Sequence, residues 1–293
     1  PLGLTAPDRI HELIRGESEI PLRGLVSGSL DLDKMEYLRR DARFCGVPYG
    51  EVDVSRLLQG IELLPDPTTG RYEVGVHEKA IAALESLLFA KYQMFRNVYW
   101  HHSVRAATAL YKRIVEEAVR SGLIAPDDLV GPTDEELLYL ISHRAHDADT
   151  EVAERIASRW MPALRHRKLP KRALELTAAD LAGRQVEDWA VGDSPWKRAV
   201  EDDLASELAL EPGEVVIDFP AKPHMFQLDV LVARRGGLVQ RLDMEGLEGL
   251  LDLPRVAQEL YSTARVLRVF TFERREVSAD AVLDRITRPA STP

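Results

Sequence analysis

The sequence predicts a mainly α-helical core followed by a smaller α+β unit, on three observations. Residues 77–120 contain neither proline nor glycine. Within them Ala80, Leu84, Leu87, Leu88, Tyr92, Val98, Leu110, Ile114 and Ala118 fit helical periodicity, which predicts one long helix or two joined near Phe95. A second amphipathic helix is expected between the Ser27-Gly28-Ser29 turn and Gly46. From about Val186 strands and helices alternate, as in a small, mostly antiparallel sheet with helices. The implied divisions are 1–122, a helical connector over 123–185, and an α+β unit over 186–293.

In chain order, residues 7–16 read as a short helix ended by Gly16, with His11 a surface or packing histidine. In the next helix, Ser29 is the expected N-cap, since its hydroxyl can accept from free first-turn amides. Met35, Leu38, Ala42 and Cys45 recur at spacings of three and four and form a core-facing stripe. Asp33, Tyr37 and Asp41 recur at spacings of four and share another face, with Lys34 beside them. A carboxylate can ligate a divalent cation, an ammonium can meet phosphate, and a phenol can stack or donate. That face therefore suits a hard metal and a phosphorylated sugar. The alternative is a solvated face on which Lys34 pairs with nearby acids.

Val54 to Leu58 predict a short helix, and the segments flanking Pro67-Thr68-Thr69-Gly70 a hairpin. Thr133-Asp134-Glu135-Glu136 is a capping box opening a helix to about His143, and another helix spans Thr150 to Leu164. Lys171 to Leu176 read as a strand, Pro195 to Leu210 as a helix, and Glu214 to Pro220 as a strand. A hairpin turns at Gly236-Gly237; a helix from Pro254 to Ala264, a strand from Arg265 to Glu273 and a helix from Ser278 to Ile286 follow.

The chain has 293 residues, 45% hydrophobic and 29% charged, in the range of a water-soluble globular protein. Its 48 acidic and 38 basic residues give a net charge of −10, which argues against a nucleic-acid-coating surface but not against a local basic pocket. Cys45 is the only cysteine, so no intrachain disulfide forms, and its place on the apolar stripe predicts a buried thiol in a reducing, cytoplasmic compartment. No apolar run is long enough for a membrane span. CxxC, GxxxxGK[ST], HExxH and GxSxG are all absent, which disfavours zinc-ribbon, NTPase, zincin and hydrolase-elbow chemistry. The chain starts at Pro1 with neither Met nor a signal-peptide pattern, so a start within a longer protein is expected.

The string Asp31-Leu32-Asp33-Lys34-Met35-Glu36-Tyr37-Leu38-Arg39-Arg40-Asp41, with Gly46 shortly after, resembles a signature of the HD-domain phosphohydrolases. The match is to the branch of deoxynucleoside triphosphate triphosphohydrolases that includes the SAM-and-HD-domain protein. The family pattern is Asp-x-Asp-Lys-x-Asp-Tyr-x-x-Arg-Asp, and Glu36 departs from it mildly. The resemblance runs from about Ile10 to Phe272, strongest at this helix. It implies that Asp33 is the last metal ligand of an H…HD…D set, and that Lys34, Tyr37 and Asp41 touch the triphosphate and sugar. It also gives Lys91 a phosphate contact and Tyr99 a sugar contact, against plain core packing for Tyr99 and Trp100.

The implied activity is metal-dependent hydrolysis of a dNTP to deoxynucleoside plus triphosphate, in a homo-oligomer, with the divalent ion (Mn, Mg, Fe or Zn) left open. The alternative is a catalytically incomplete, HD-like nucleotide-binding or scaffold protein. Only His11 precedes Asp33, so the resemblance implies that residues 1–122 are the C-terminal part of an HD domain whose His and His-Asp ligands lie upstream. A second draft set would join His101 or His102, His146-Asp147, and Asp202 or Asp203, but the family order places the doublet before the Asp33 helix. Arg167-Lys168-Leu169-Pro170-Lys171 resembles the family's Arg-x-Leu-x-Lys element, which contacts an effector nucleotide in some members; a solvated basic turn is the preferred reading.

Overall fold

The computed structural model describes residues 5–287 apart from 183, 185, 187–189, 191–193, 222–225, 227, 244, 245 and 248–251. Its helices are α1 (Ala6–Arg15), α2 (Gly24–Ser27), α3 (Leu32–Cys45), α4 (Val54–Gln59), α5 (Ile81–Met94) and α6 (His102–Arg120), then α7 (Asp134–Asp147), α8 (Glu151–Arg155), α9 (Met161–Arg165), α10 (Pro195–Glu207), α11 (Leu253–Ala264) and α12 (Ala279–Ile286). The strands are β1 (Ile61–Pro65), β2 (Tyr72–His77), β3 (Lys171–Leu176), β4 (Val215–Asp218), β5 (Val230–Ala233), β6 (Val239–Leu242) and β7 (Leu267–Thr271). Of the two alternatives, one long helix or two joined near Phe95, the second is found: α5 ends at Met94, and a π-helical turn over Phe95–Tyr99 precedes α6.

The chain divides into two compact units, one of Pro1–Tyr99 with Lys222–Ala264, the other of Trp100–Ala221 with Arg265–Pro293. The sequence-based boundaries at 122 and 185 lie elsewhere. In the first unit the sheet order is β1-β2-β5-β6. β1 and β2 form the expected hairpin, antiparallel with Ile61 opposite Val76. β5 and β6 form the other, antiparallel with Val230 opposite Leu242. Gly236 and Gly237 both adopt positive φ, 89° and 83°, which suits a tight hairpin turn and disfavours side chains with a Cβ. β2 and β5 join in parallel, Gly75 opposite Leu231. In the second unit the order is β3-β7-β4, all antiparallel neighbours. Leu204, Ile217, Val269, Val282 and Leu283 share one core there, and Leu110, Ile114, Ile141, Ile156 and Trp160 another.

The expectation of a helical core followed by a contiguous α+β unit over 186–293 is corrected by this topology. The architecture is mixed α and β, with two small sheets among the described residues that each draw strands from separated stretches of chain. The reason lies in sheet edges. A lone hairpin is marginal and leaves unpaired edge groups, so β2 takes β5 as its partner. Alternation in sequence marks a strand but carries no information on which edge it joins.

Candidate functional site

The candidate site is built on α3. Asp31, not Ser29, caps this helix: its Oδ1 accepts from the Lys34 amide at 3.0 Å. Ser29 turns elsewhere, its Oγ accepting from the Asp229 amide at 2.9 Å. A carboxylate at the N-cap also meets the positive end of the helix dipole, so Asp31 serves better than a hydroxyl. Met35, Leu38 and Ala42 are buried as predicted, and Leu38 is 0% exposed. Burying such a leucine side chain contributes roughly 1.5–3 kcal/mol. Cys45 departs from the expectation, because its thiol is exposed. The last turn runs beyond the core to Gly46 at φ 67°, and Phe44 is 83% exposed on the same turn.

The other face carries the polar residues. Tyr37, Lys34 and Asp41 are half-buried, and Asp33 is exposed. Lys34 is drawn back to the start of its helix: its Nζ donates to Gly28 O at 2.7 Å and Asp31 Oδ2 at 2.5 Å. Its charge is therefore matched within the helix, as the solvated-face alternative had it. Tyr99, on the π-helical turn, donates to Asp41 Oδ2 at 2.8 Å. Its ring meets Tyr37 edge-on at 6.2 Å and Phe95 edge-on at 5.0 Å. Tyr37, Asp41 and Tyr99 thus come together from two separated elements, while Trp100 is buried, as plain core packing predicts.

Lys91 is carried by α5. Its ammonium lies 5.8 Å from the centre of the Phe226 ring. That ring in turn packs edge-on against Phe95 at 6.3 Å and Tyr92 at 6.2 Å. Asp31, Phe95 and Phe226 are contributors that sequence reasoning missed. The Asp31-to-Lys34 spacing and the Phe95-to-Tyr99 spacing are visible local signals, whereas Phe226 is distant in sequence and carries none.

The electrostatics of the face follow from burial and from its acids. Burial first, then the carboxylates of Asp31, Asp33 and Asp41, push the Tyr37 phenol up to about 12. Burial, then the bond to Asp41, raises the Tyr99 phenol still further. Both hydroxyls remain donors across the physiological range. Among the described residues no group of three His, Cys, Asp or Glu is arranged to hold a metal ion. Asp33 is one candidate ligand, and a single exposed carboxylate does not hold a divalent cation by itself. The second draft set is not assembled. His146 Nδ1 lies 2.7 Å from Ser142 O, Asp147 pairs with His143, Asp202 accepts from the Gly213 amide, and Asp203 pairs with Arg285.

In the second unit the basic residues of the Arg167–Lys171 element are exposed, as a solvated turn has them, and part of the element borders a cavity. Arg167, Leu169 and Lys171 line a cavity of about 300 Å³ together with His102, Arg172 and Arg274. Burial first, then the neighbouring His101, Arg172 and Arg268, lowers the His102 pKa, so the imidazole is held neutral beside the cations.

A family model described as the HD associated region matches residues 52–247, well over half of the chain. The chain belongs to this family. The HD-associated match begins after α3, so the face of Asp33, Tyr37 and Asp41 lies upstream of it, while Lys91, Tyr99 and Phe226 lie within it. An uncharacterized protein of Methanocaldococcus jannaschii is 30% identical over 235 residues, 79% of this chain and 48% of that protein. An uncharacterized protein of Bacillus subtilis is 33% identical over 94 residues, 32% of this chain and 20% of that protein. The chain therefore spans about half or less of these curated relatives.

Two solved structures share the fold of this HD-associated chain. A hypothetical protein from Aquifex aeolicus aligns with a TM-score of 0.57 at 20% identity, over 92% of this chain and 63% of that one. A phosphohydrolase from Bacteroides thetaiotaomicron aligns with a TM-score of 0.53 at 15% identity, over 90% of this chain and 66% of that one. Among the described residues no helix is long and apolar enough to cross a membrane.

Proposed function

We propose that this chain supplies the substrate-orienting part of a metal-dependent phosphohydrolase acting on nucleotides, releasing triphosphate from a dNTP. The observation that carries the reading is the Tyr99 hydroxyl on Asp41 at 2.8 Å, which joins the α3 face to the π-helical turn. Support also comes from the HD-associated family match and from a fold shared with a phosphohydrolase. In this reading Lys91 meets phosphate as a point charge, Tyr37 and Tyr99 pack the sugar, and Asp41 accepts from a sugar hydroxyl. Asp33 is the metal ligand on this chain, and the imidazole ligands come from outside its residues. A bound divalent ion would polarise the phosphoryl oxygen and acidify water. The residues described here bind and orient.

The test is turnover of a dNTP panel with Mn²⁺ or Mg²⁺ by the protein including its upstream region. Asp33→Ala is expected to abolish metal-dependent turnover. Unchanged turnover removes Asp33 from the mechanism, and nucleotide binding without any turnover by the wild type favours the non-catalytic, nucleotide-sensing class instead. Assembly into a homo-oligomer belongs to the same proposal, and its test is the mass of the native protein in solution.

The basic cavity favours one addition. An effector nucleotide contact at Arg167 and Lys171, implied by the resemblance, is supported by a cavity that gathers four cationic side chains. Lys171→Glu is expected to remove any activation by a second nucleotide while leaving basal turnover in place; activation unchanged in that variant overturns the addition.

A further inference from the structure

Phe226 is the least expected member of the first unit's aromatic cluster. It belongs to the segment between β4 and β5, yet its ring is 1% exposed. A phenylalanine so deeply buried outside regular structure is an anchor, since its apolar surface leaves water only through what it packs against. What it packs against is specific. One ring meets the Lys91 ammonium, the Tyr92 ring and the Phe95 ring. The Tyr92 hydroxyl also accepts from Arg96 at 2.7 Å, which ties the same helix turn together.

The geometry has two consequences for the face on α3. The ammonium of Lys91 sits within about 6 Å of an aromatic centre, the range at which a ring's quadrupole attracts a cation. A leucine of similar volume would fill the space and offer no such attraction. Phe95 then relays the contact, because it packs edge-on against both Phe226 and Tyr99. Tyr99 is the residue whose hydroxyl reaches Asp41. The π-helical turn carrying Phe95 and Tyr99 departs from the regular α-helical ladder, and such turns frequently occur at functional sites. An aromatic plug on its inner side is a direct means of fixing its rotation.

We propose that Phe226 is a positioning residue of the candidate site, whose ring holds the Lys91 ammonium and, through Phe95, the orientation of the Tyr99 phenol toward Asp41. This rests on the nucleotide reading for its functional consequence, but not for its structural content.

The test separates the two. In the protein with its upstream region, Phe226→Leu keeps apolar volume and removes the ring, and Phe226→Tyr restores the ring. Lys91 acylation and Tyr99 nitration are followed by mass spectrometry, with Lys197 as an internal control, alongside thermal unfolding and steady-state kinetics. Phe226→Leu is expected to raise the rate of both modifications at least threefold relative to Lys197. It is also expected to raise KM for the dNTP by about threefold to tenfold with a smaller change in kcat, as lost cation and sugar positioning would. Phe226→Tyr returns both readouts to within about twofold.

Modification rates unchanged in a folded Phe226→Leu protein overturn the proposal, and so does failure of Phe226→Tyr to rescue them. A change confined to the unfolding temperature also overturns it, since plain packing would do that alone. If the wild type turns over no nucleotide, the nucleotide reading fails, while the modification rates still decide what Phe226 holds in place.

Discussion

Replacing Tyr99 by phenylalanine removes one hydrogen bond and little else. The ring keeps its edge-on contacts with Phe95 and Tyr37, so no cavity opens beyond one hydroxyl. The lost bond is charge-assisted, from the Tyr99 hydroxyl to the Asp41 carboxylate at 2.8 Å. Bonds to charged groups contribute roughly 1.5–3 kcal/mol. The Asp41 side chain is 32% exposed, so water replaces the phenol in part. The expected loss is therefore at the low end, about 1–1.5 kcal/mol. For a chain of this length that lowers the unfolding midpoint by about 2–5 °C.

The decisive assay is a double-mutant cycle with Asp41→Ala, which leaves no side-chain acceptor for the phenol, read by urea unfolding of all four proteins. A coupling of about 1 kcal/mol is expected, because each single variant removes the same bond. Additive effects, with coupling below about 0.3 kcal/mol, would show that the two side chains do not interact. The reading of α3 and the π-helical turn as one site would then lose its support.

Three further outcomes follow from the same structure. The fold favours the protonated Tyr37 phenol, which is pushed from 10.0 to about 12. That stabilisation is complete below pH 10 and is lost as pH rises through 12. Tyr37→Phe should flatten that limb in a pH series of urea midpoints, and an unchanged slope would place the ionisation elsewhere. At the other extreme, the Arg241 guanidinium first, then the Thr69 and Thr68 amides, hold the Asp66 carboxyl down at about 2 rather than 3.8. Its contribution is present above 3.8 and is lost as pH falls through 2, so Asp66→Asn should remove part of the acid limb of stability. An acid transition identical in Asp66→Asn and wild type refutes this. Finally, a Cβ at Gly75 would lie 2.6 Å from Leu231 O and 2.6 Å from Leu64 Cδ1. Gly75→Ala should therefore destabilise by about 2–3 kcal/mol in urea unfolding, and a neutral result would contradict the β2–β5 pairing.

Local structure was largely legible because local chemistry dictates it. The Thr133–Glu136 capping box opens α7 where its spacing placed it. The paired glycines at 236 and 237 mark the β5–β6 turn. Periodicity across residues 77–120 left open one long helix or two joined near Phe95, and the π-helical turn at Phe95–Tyr99 decides for two. Pairing between distant strands was not legible: β5 is a continuous apolar run, VLVA, buried at every position, which marks a buried strand but does not name β2 as its parallel neighbour. The same limit governs the site. The grouping of Asp33, Tyr37 and Asp41 follows from helix geometry, but the choice of Tyr99 as their partner depends on a turn geometry that spacing alone does not encode. Lys34 shows the competing effect: a nearer acid, Asp31, captures the ammonium that the resemblance reserves for phosphate.

That capture bears on what the proposed reading requires. Around Tyr37 lie three carboxylates, Asp31, Asp33 and Asp41. Lys34 offsets Asp31, and Asp41 accepts from Tyr99 and also pairs with the Arg40 guanidinium at 3.5 Å. Asp33 is the exposed carboxylate of the three, and a triphosphate brought against it is repelled unless a cation intervenes. Lys91, the cation this reading gives to phosphate, is held over the Phe226 ring. Nucleotide binding should therefore depend on a divalent ion before any chemistry takes place. Equilibrium dialysis of a dNTP against the protein with its upstream region should show at least tenfold weaker binding in chelator than in Mg²⁺, with Asp33→Ala narrowing the difference. Equal affinity in the two conditions would mean that the phosphates are held elsewhere, and the Asp33 face of α3 would then be a solvated surface after all.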